Sequence, residues 1–241
     1  MSSFLNERKI ISCVKKAIED FNMIEDGDKI AVGISGKDSI TLLISLKRLQ
    51  TFLNKNFSIE AVTLTLGIGK YNLDYIKKLC ENLEINYTIE ETLIGKIVFE
   101  ERKEKNPCSL CANMRRGALN NTAKKLGCNK VALGHHRDDL IETLMLNILF
   151  EGKISTFSPV TYLSRKELNV IRPLIYTPEE EIKKFISANS ITNIKNPCQV
   201  DGKTKRQYIK NLLKEICEDN KYINENIFGA ILRSEIDGWK I

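Results

Sequence analysis

The sequence contains no apolar run approaching the roughly 18 residues a membrane-spanning helix needs, so no transmembrane helix is expected. The opening stretch, MSSFLNERKIISCVKKAIEDF, mixes acids and bases within an amphipathic period, which argues against a signal peptide. A reducing, cytoplasmic location is therefore expected, and no membrane partner. Seven cysteines, an odd number, do not suggest a disulfide framework in such a compartment. There is one C-x-x-C and no second, which excludes a zinc ribbon. The G-x-x-x-x-G-K-[ST] spacing is absent too, so a Walker A phosphate loop is excluded. Low-complexity tracts and a linker between two independent domains are also missing. What remains is a chain of 241 residues, 42% apolar and 28% charged, long enough for a large buried core. Its net charge of +6 permits a polyanionic partner without demanding one.

The chain is organised around Lys29 to Leu46, KIAVGISGKDSITLLISL. An apolar run, Ile30 to Ile34, stops at Ser35-Gly36-Lys37-Asp38-Ser39 and gives way to apolar residues at helical spacing, Ile40, Leu43 and Ile44. This predicts strand, tight turn and helix. The turn leaves backbone N–H groups at a helix N-terminus, where the dipole also favours negative charge, so a phosphate is a natural guest. Gly36 permits close backbone approach, Lys37 adds a point charge, and the hydroxyls of Ser35 and Ser39 can bond phosphate oxygens or cap the helix. An ordinary βα turn with a serine cap is the competing reading.

Around it, residues 4 to 22 read as an amphipathic helix with apolar Ile10, Ile11, Val14, Ile18 and Phe21. Strands are expected at Ser58 to Leu66, Asn86 to Glu90 and Val131 to Leu133. Helices are expected across Leu42 to Leu53, near Leu73 to Leu83, and from Asp139 to Phe150. From Glu151 to Pro173 the pattern reads as loop with a short strand at Val170-Ile171, followed by a helix opening at Thr177-Pro178 with Glu180 in capping-box position. Asn193 to Gly202 is a turn-rich break, and two helices close the chain, roughly Thr204 to Ile216 and Ile223 to Ile236. The β-α repetition predicts a parallel, doubly wound sheet with ligands at the carboxyl ends of its strands. Ser35 to Ser39 and Gly134 to Asp139 both lie at such ends. The expected division is an N-terminal helical segment (1–28), an α/β nucleotide-binding unit (29–190) and a C-terminal helical segment (191–241).

Cys108 and Cys111 follow Asn106-Pro107 at the start of a helical stretch that carries Arg115 and Arg116. Two thiolates one turn apart can share a metal or exchange a disulfide, and the helix dipole and arginines favour the ionised form. Cys198, again behind Asn-Pro, is a candidate third ligand. Redox pair, structural zinc and iron–sulfur cluster all remain open on the residues alone, with three thiolates and no nearby histidine suiting a cluster best. Cys13, Cys80, Cys128 and Cys217 sit in apolar or helical patterns and read as core or surface residues. In Gly134-His135-His136-Arg137-Asp138-Asp139, with Glu142 nearby, the acids suit a first helical turn, a metal or a nucleotide with its Mg²⁺.

Taken together, DFNMIEDGDKIAVGISGKDS, PCSLCANMRRGAL, LGHHRDDLIETLMLN, VIRPLIY and the later NPC resemble the PP-loop ATP pyrophosphatases. Within them the chain is similar to the TtcA-like tRNA 2-thiocytidine synthetases. The resemblance implies a Rossmann-like fold of the adenine nucleotide alpha hydrolase type, with helices on both faces of the sheet and extra helices at both termini. It also implies that Ser35, Gly36, Lys37, Asp38 and Ser39 hold ATP phosphates, that Gly134, His135 and Asp139 border the nucleotide, and that Cys108, Cys111 and Cys198 hold a 4Fe-4S cluster. The implied reaction adenylates the C2 oxygen of a tRNA cytidine and replaces it with sulfur. Lys37 and Mg²⁺ would offset charge on the leaving pyrophosphate, Asp38 would orient metal or loop, and sulfide or a cysteine desulfurase would supply the sulfur; a homodimer is compatible with it.

RNA contacts are expected from Arg115 and Arg116 and from Lys203, Lys205, Arg206 and Lys210 in KTKRQYIKNLLK, with Tyr208 available to stack. The competing reading of each group is a solvated helix face. The chain departs from the family in three places. Its loop reads S-G-K-D-S where the family has S-G-G-K-D-S, so a reshaped phosphate cradle is expected. Thr65 stands where an Asp is common, and Asp201 stands where a second late cysteine is usual. Two other readings stay open: a cluster enzyme acting on another nucleobase or a small molecule, and a non-catalytic cluster or RNA-binding module with a degenerate ATP site.

Overall fold

In the computed structural model the described residues are 4–69, 71–102, 107–192 and 204–239. Cys198 and Lys203, and with them the expected break at 193–202, lie outside these residues.

Six strands form one sheet: β1 (Lys29–Gly33), β2 (Ser58–Thr65), β3 (Asn86–Glu91), β4 (Lys130–Ala132), β5 (Val160–Leu163) and β6 (Leu168–Ile171). Their order is β3-β2-β1-β4-β6-β5. The chain starts at the centre with β1, walks outward to β3, then returns to place β4 on the other side of β1. Progression therefore reverses between β1 and β4, and the loops leaving those two strands diverge to open a crevice at their carboxyl ends.

Pairing is parallel throughout except between β5 and β6, which run antiparallel from Val160↔Ile171 to Leu163↔Leu168. The expected parallel, doubly wound sheet is found, with one added antiparallel strand, β5, in a stretch read as loop. It is four residues long, only partly buried and at the sheet edge directly after Pro159, so it offers neither a continuous apolar run nor a full alternation to read.

The strand pleat assigns residues to two faces. Ile30, Val32, Ala132 and Ile171 point into a large core shared with α1 (Arg8–Asp20), α2 (Lys37–Leu49), α3 (Asp74–Asn82) and, further along the chain, the helix Glu179–Ala188. Ala31, Val62, Val131, Leu168 and Val170 point the other way, onto Leu119 and Ala123 of the helix Pro107–Lys125. Between β3 and that helix, α4 (Ile94–Lys96) runs on into a π-helical turn, Ile97–Glu101, so Pro107–Lys125 is α5. The helix after β4 is α6 (Arg137–Leu146), Glu179–Ala188 is α7, and α8 (Lys205–Asp219) and α9 (Ile223–Arg233) follow, with a short 3-10 turn at Ile236–Gly238. Ile10, Val14, Ala17 and Ile18 of α1 are fully buried at the helical spacing the sequence displays. Ile209 and Leu213 of α8 pack on Ile141 of α6, which puts the C-terminal helices beside the loop that follows β4.

The helix at Thr177-Pro178 does form, but not with the expected capping box. Pro178 occupies the cap position without a side-chain bond, and the Thr177 hydroxyl is buried without a partner. The amide of Glu179 instead donates to the Asp138 carboxylate at 2.7 Å, so α7 is capped by the first turn of α6.

Candidate active site

The loop after β1 closes on itself through one hydroxyl. Ser39 Oγ accepts the amides of Ser35 (2.9 Å) and Gly36 (3.1 Å) and donates to the Gly36 carbonyl (2.8 Å). Of the two roles expected for Ser39, the cap is the one seen. Gly36 is fully extended (φ 173°, ψ −166°), and the first-turn amides of α2 that follow keep no intrahelical acceptor.

Lys37 turns to carboxylates. Its Nζ lies 2.6 Å from Asp38 Oδ1 and 3.2 Å from Glu179 Oε1, and it does not line the crevice that Ser35, Gly36, Asp38 and Ser39 line.

The second loop is fitted against the first. A Cβ on Gly134 would fall 2.8 Å from the Ser39 nitrogen and 3.0 Å from the Asp38 carbonyl carbon, so only glycine allows the end of β4 to lie this close to the start of α2. His136 caps α6: its Nδ1 accepts the Asp139 amide at 3.3 Å, and Asp139 Oδ2 accepts the His136 amide at 3.1 Å. His135 faces the crevice with its ring centroid 5.0 Å from that of Phe157 and its Nδ1 buried without a partner. Burial pulls its pKa down to about 4 against the opposing pull of Asp139, so the ring is neutral at pH 7. Among the described residues no group of three or more His, Cys, Asp or Glu side chains is arranged to hold a metal ion.

The crevice has a volume of about 550 Å³, within the size range of small-molecule sites. The loops after β1 and β4 form part of its wall, α5 contributes Arg115 and Arg116, and Phe157 and Arg172 close it from beyond α6.

At the head of α5, Cys108 is exposed and Cys111 is buried against Leu66, Ile94 and Val98. Spacings of three and four residues put Cys108, Cys111 and Arg115 on one side of the helix, so the thiols lie within two turns of a residue that lines the crevice. Two soft thiolates one turn apart suit an iron–sulfur cluster. Cys80 and Cys128 are core residues, and burial pushes their thiols up to about 12 and about 11.

The basic residues of α8 differ from a free cationic face. Arg206 reaches Asp139 at 3.3 Å and the Thr143 hydroxyl at 2.9 Å, and Lys210 reaches Glu179 at 2.8 Å. Lys205 lies 4.9 Å from the centre of the Phe150 ring. Two of the expected RNA-facing charges thus tie α8 to α6 and α7. Glu179, which gathers Lys37, Lys183 and Lys210, was not singled out in the sequence, where only its neighbour Glu180 drew notice as a capping-box residue.

A family model described as the PP-loop domain matches residues 6–216. The chain belongs to the PP-loop family. Two relatives in it, from Pelobacter propionicus and Geobacter metallireducens, are 40% and 38% identical to this PP-loop protein over 228 residues each. The alignments cover 93% of this chain and 85% and 89% of theirs, and both relatives are named tRNA-cytidine(32) 2-sulfurtransferase. The U34-tRNA thiolase NcsA of Methanococcus maripaludis, solved with its [4Fe-4S] cluster, superposes with a TM-score of 0.74 at 24% identity. That match covers 93% of this chain and 78% of NcsA and shows the shared Rossmann-like PP-loop fold.

Proposed function

We propose that this PP-loop protein is an ATP-dependent tRNA sulfurtransferase that converts a cytidine, position 32 in the relatives' names, to 2-thiocytidine. The observation that carries the reading is the single crevice walled by the Ser35–Ser39 loop, the Gly134–Asp139 turn and the arginines of the C-x-x-C helix.

The chemistry needs two events in one place. The cytidine C2 oxygen attacks the α-phosphorus of ATP and the bond to pyrophosphate breaks. Sulfur at the sulfide level then attacks C2, and the C–O bond breaks with AMP as leaving group, so no oxidant or reductant is consumed. The first-turn amides of α2 and the Ser35 hydroxyl bind and orient the phosphates, while Ser39 holds the Ser35–Gly36 turn in shape around them. Gly134, His135 and Asp139 border the nucleotide; a neutral His135 accepts or donates a hydrogen bond without adding charge. Asp38 and Asp139 are the carboxylates that would bind Mg²⁺ carried in with ATP, which would offset charge on the phosphates. Lys37 acts by fixing Asp38 and the head of α2, in place of the direct phosphate contact expected from the loop motif.

Cys108, Cys111 and Cys198 would hold a 4Fe-4S cluster, whose chemistry is one iron left without a protein ligand and so open to exogenous sulfur. Arg115 and Arg116, with Lys203 and Lys205, are the residues proposed to meet tRNA phosphates, and an unpaired loop base is the form in which C2 becomes accessible. Arg206 and Lys210 hold α8 in place beside them. Sulfide itself, or a cysteine desulfurase, is the proposed donor.

The test is nucleoside mass spectrometry of tRNA incubated anaerobically with cluster-reconstituted protein, ATP and sulfide. Wild type is expected to form 2-thiocytidine with AMP, and Cys108→Ala, Cys111→Ala and Cys198→Ala to lose both iron and product. If the three variants thiolate like wild type, the proposal fails.

A further inference from the structure

The crevice contains more positive charge than its carboxylates neutralise. Asp38 is engaged by Lys37 at 2.6 Å, and Asp139 by Arg206 at 3.3 Å and by the His136 amide. Arg115, Arg116 and Arg172 also line the crevice, and among the described residues none of the three forms an ion pair. Arg116 bonds the Asn113 side chain at 3.1 Å.

Arg172 is the most constrained. It follows β6 directly, and its amide donates to the Pro159 carbonyl at 3.1 Å. Its Nη1 donates to the Ser158 carbonyl at 2.6 Å and to Thr161 Oγ1 at 3.1 Å, and its guanidinium lies 5.2 Å from the centre of the Phe157 ring. The Nε of this same group is buried with no partner. Burial, and after it the charge of Arg116, draws the pKa down to about 10, so the group is still cationic at pH 7. A buried guanidinium without a counter-ion is costly to keep, and a planar fork of N–H donors matches the oxygens of a phosphate. The loop meanwhile leaves work undone: it is one glycine short, its Ser35 and Gly36 amides are taken by Ser39, and Lys37 is turned to Glu179.

We propose that Arg172 is a phosphate-binding residue of this crevice, supplying to the triphosphate of ATP the positive charge that the shortened loop and Lys37 do not. The inference rests on ATP being the substrate, as proposed above. The same chemistry could come from a phosphodiester of the tRNA, and affinity separates the two sources.

The full-length Arg172→Gln and Arg172→Lys proteins are titrated calorimetrically with ATP, with adenosine and with tRNA. Arg172→Gln is expected to weaken ATP binding tenfold or more while adenosine and tRNA stay within twofold of wild type. Arg172→Lys, which keeps charge and loses the fork, is expected to fall between, and it decides the matter if the Gln variant does not fold. ATP affinity within twofold of wild type overturns the proposal, as does an equal loss for adenosine, which marks a structural role, or a loss confined to tRNA. A wild type that binds ATP but yields no AMP with tRNA contradicts the proposed function and leaves this site standing; a wild type that binds no ATP contradicts both.

Discussion

Lys37 Nζ lies 3.2 Å from Glu179 Oε1, joining the head of the phosphate-loop helix to the head of α7. The other oxygen of Glu179 accepts Lys183 at 2.9 Å and Lys210 at 2.8 Å, so one largely buried carboxylate holds α2, α7 and α8 together. Burial alone would raise its pKa, but the bonds from Lys210 and Lys183 and the charge of Lys37 outweigh burial and hold the carboxyl well below the usual range. Glu179→Gln leaves three ammonium groups short of a partner and is expected to lower stability by about 2–4 kcal/mol in urea melts. A depressed carboxylate stabilises the fold above its unfolded pKa of roughly 4.3, and that contribution fades as pH falls below it. Wild type should therefore lose stability more steeply than Glu179→Gln below about pH 4.5, and parallel acid titrations would count against this role.

Glu142 behaves in the opposite sense. Burial, and secondarily the charge of Asp139, pushes it up to about 7, with Lys210 and Arg206 pulling the other way. A raised acid favours the fold at low pH and loses that contribution as pH climbs through 7. Glu142→Gln should be near neutral at pH 5 and should raise the melting temperature relative to wild type at pH 8, by the equivalent of about 1–2 kcal/mol. A larger gain at pH 5 than at pH 8 would contradict the assignment.

Gly134→Ala places a methyl 2.8 Å from backbone nitrogen, where no flexible side chain can yield. The phosphate loop must move, so a loss of about 1–3 kcal/mol is expected together with weakened ATP binding, read by thermal melts and calorimetry. An alanine variant that binds ATP as wild type does would show that the two loops need not be in register.

Cys108 is exposed, whereas Cys80 and Cys128 are buried with thiols raised to about 12 and about 11. Iodoacetamide at pH 8, applied to protein purified without metal, should label Cys108 well before Cys80 or Cys128, as read by peptide mass spectrometry. Equal rates would contradict the burial of the latter two.

Much of this was legible in the sequence because it rests on short-range signals. The strand Ile30 to Ile34, the loop that follows and the Gly134–Asp139 turn come from apolar runs broken by small and charged residues. The reversal between β1 and β4 then brings both loops to one crevice. What the sequence concealed depends on pairing across the fold. The direction of β5 is set by its hairpin with β6, not by its own four residues. The inward commitment of Arg206 and Lys210 depends on where α6 and α7 place Asp139 and Glu179. Arg172 did leave a trace, a lone cation closing the apolar strand before Pro173 in VIRPLIY, at the sheet edge where ligands bind.

The most direct test follows one oxygen atom. tRNA carrying ¹⁸O at C2 of the target cytidine is turned over with ATP and sulfide, and the AMP released is weighed by mass spectrometry. Adenylation of the C2 oxygen requires one ¹⁸O in AMP for each 2-thiocytidine formed. Label recovered in pyrophosphate or water, or 2-thiocytidine formed with unlabelled AMP, would contradict it.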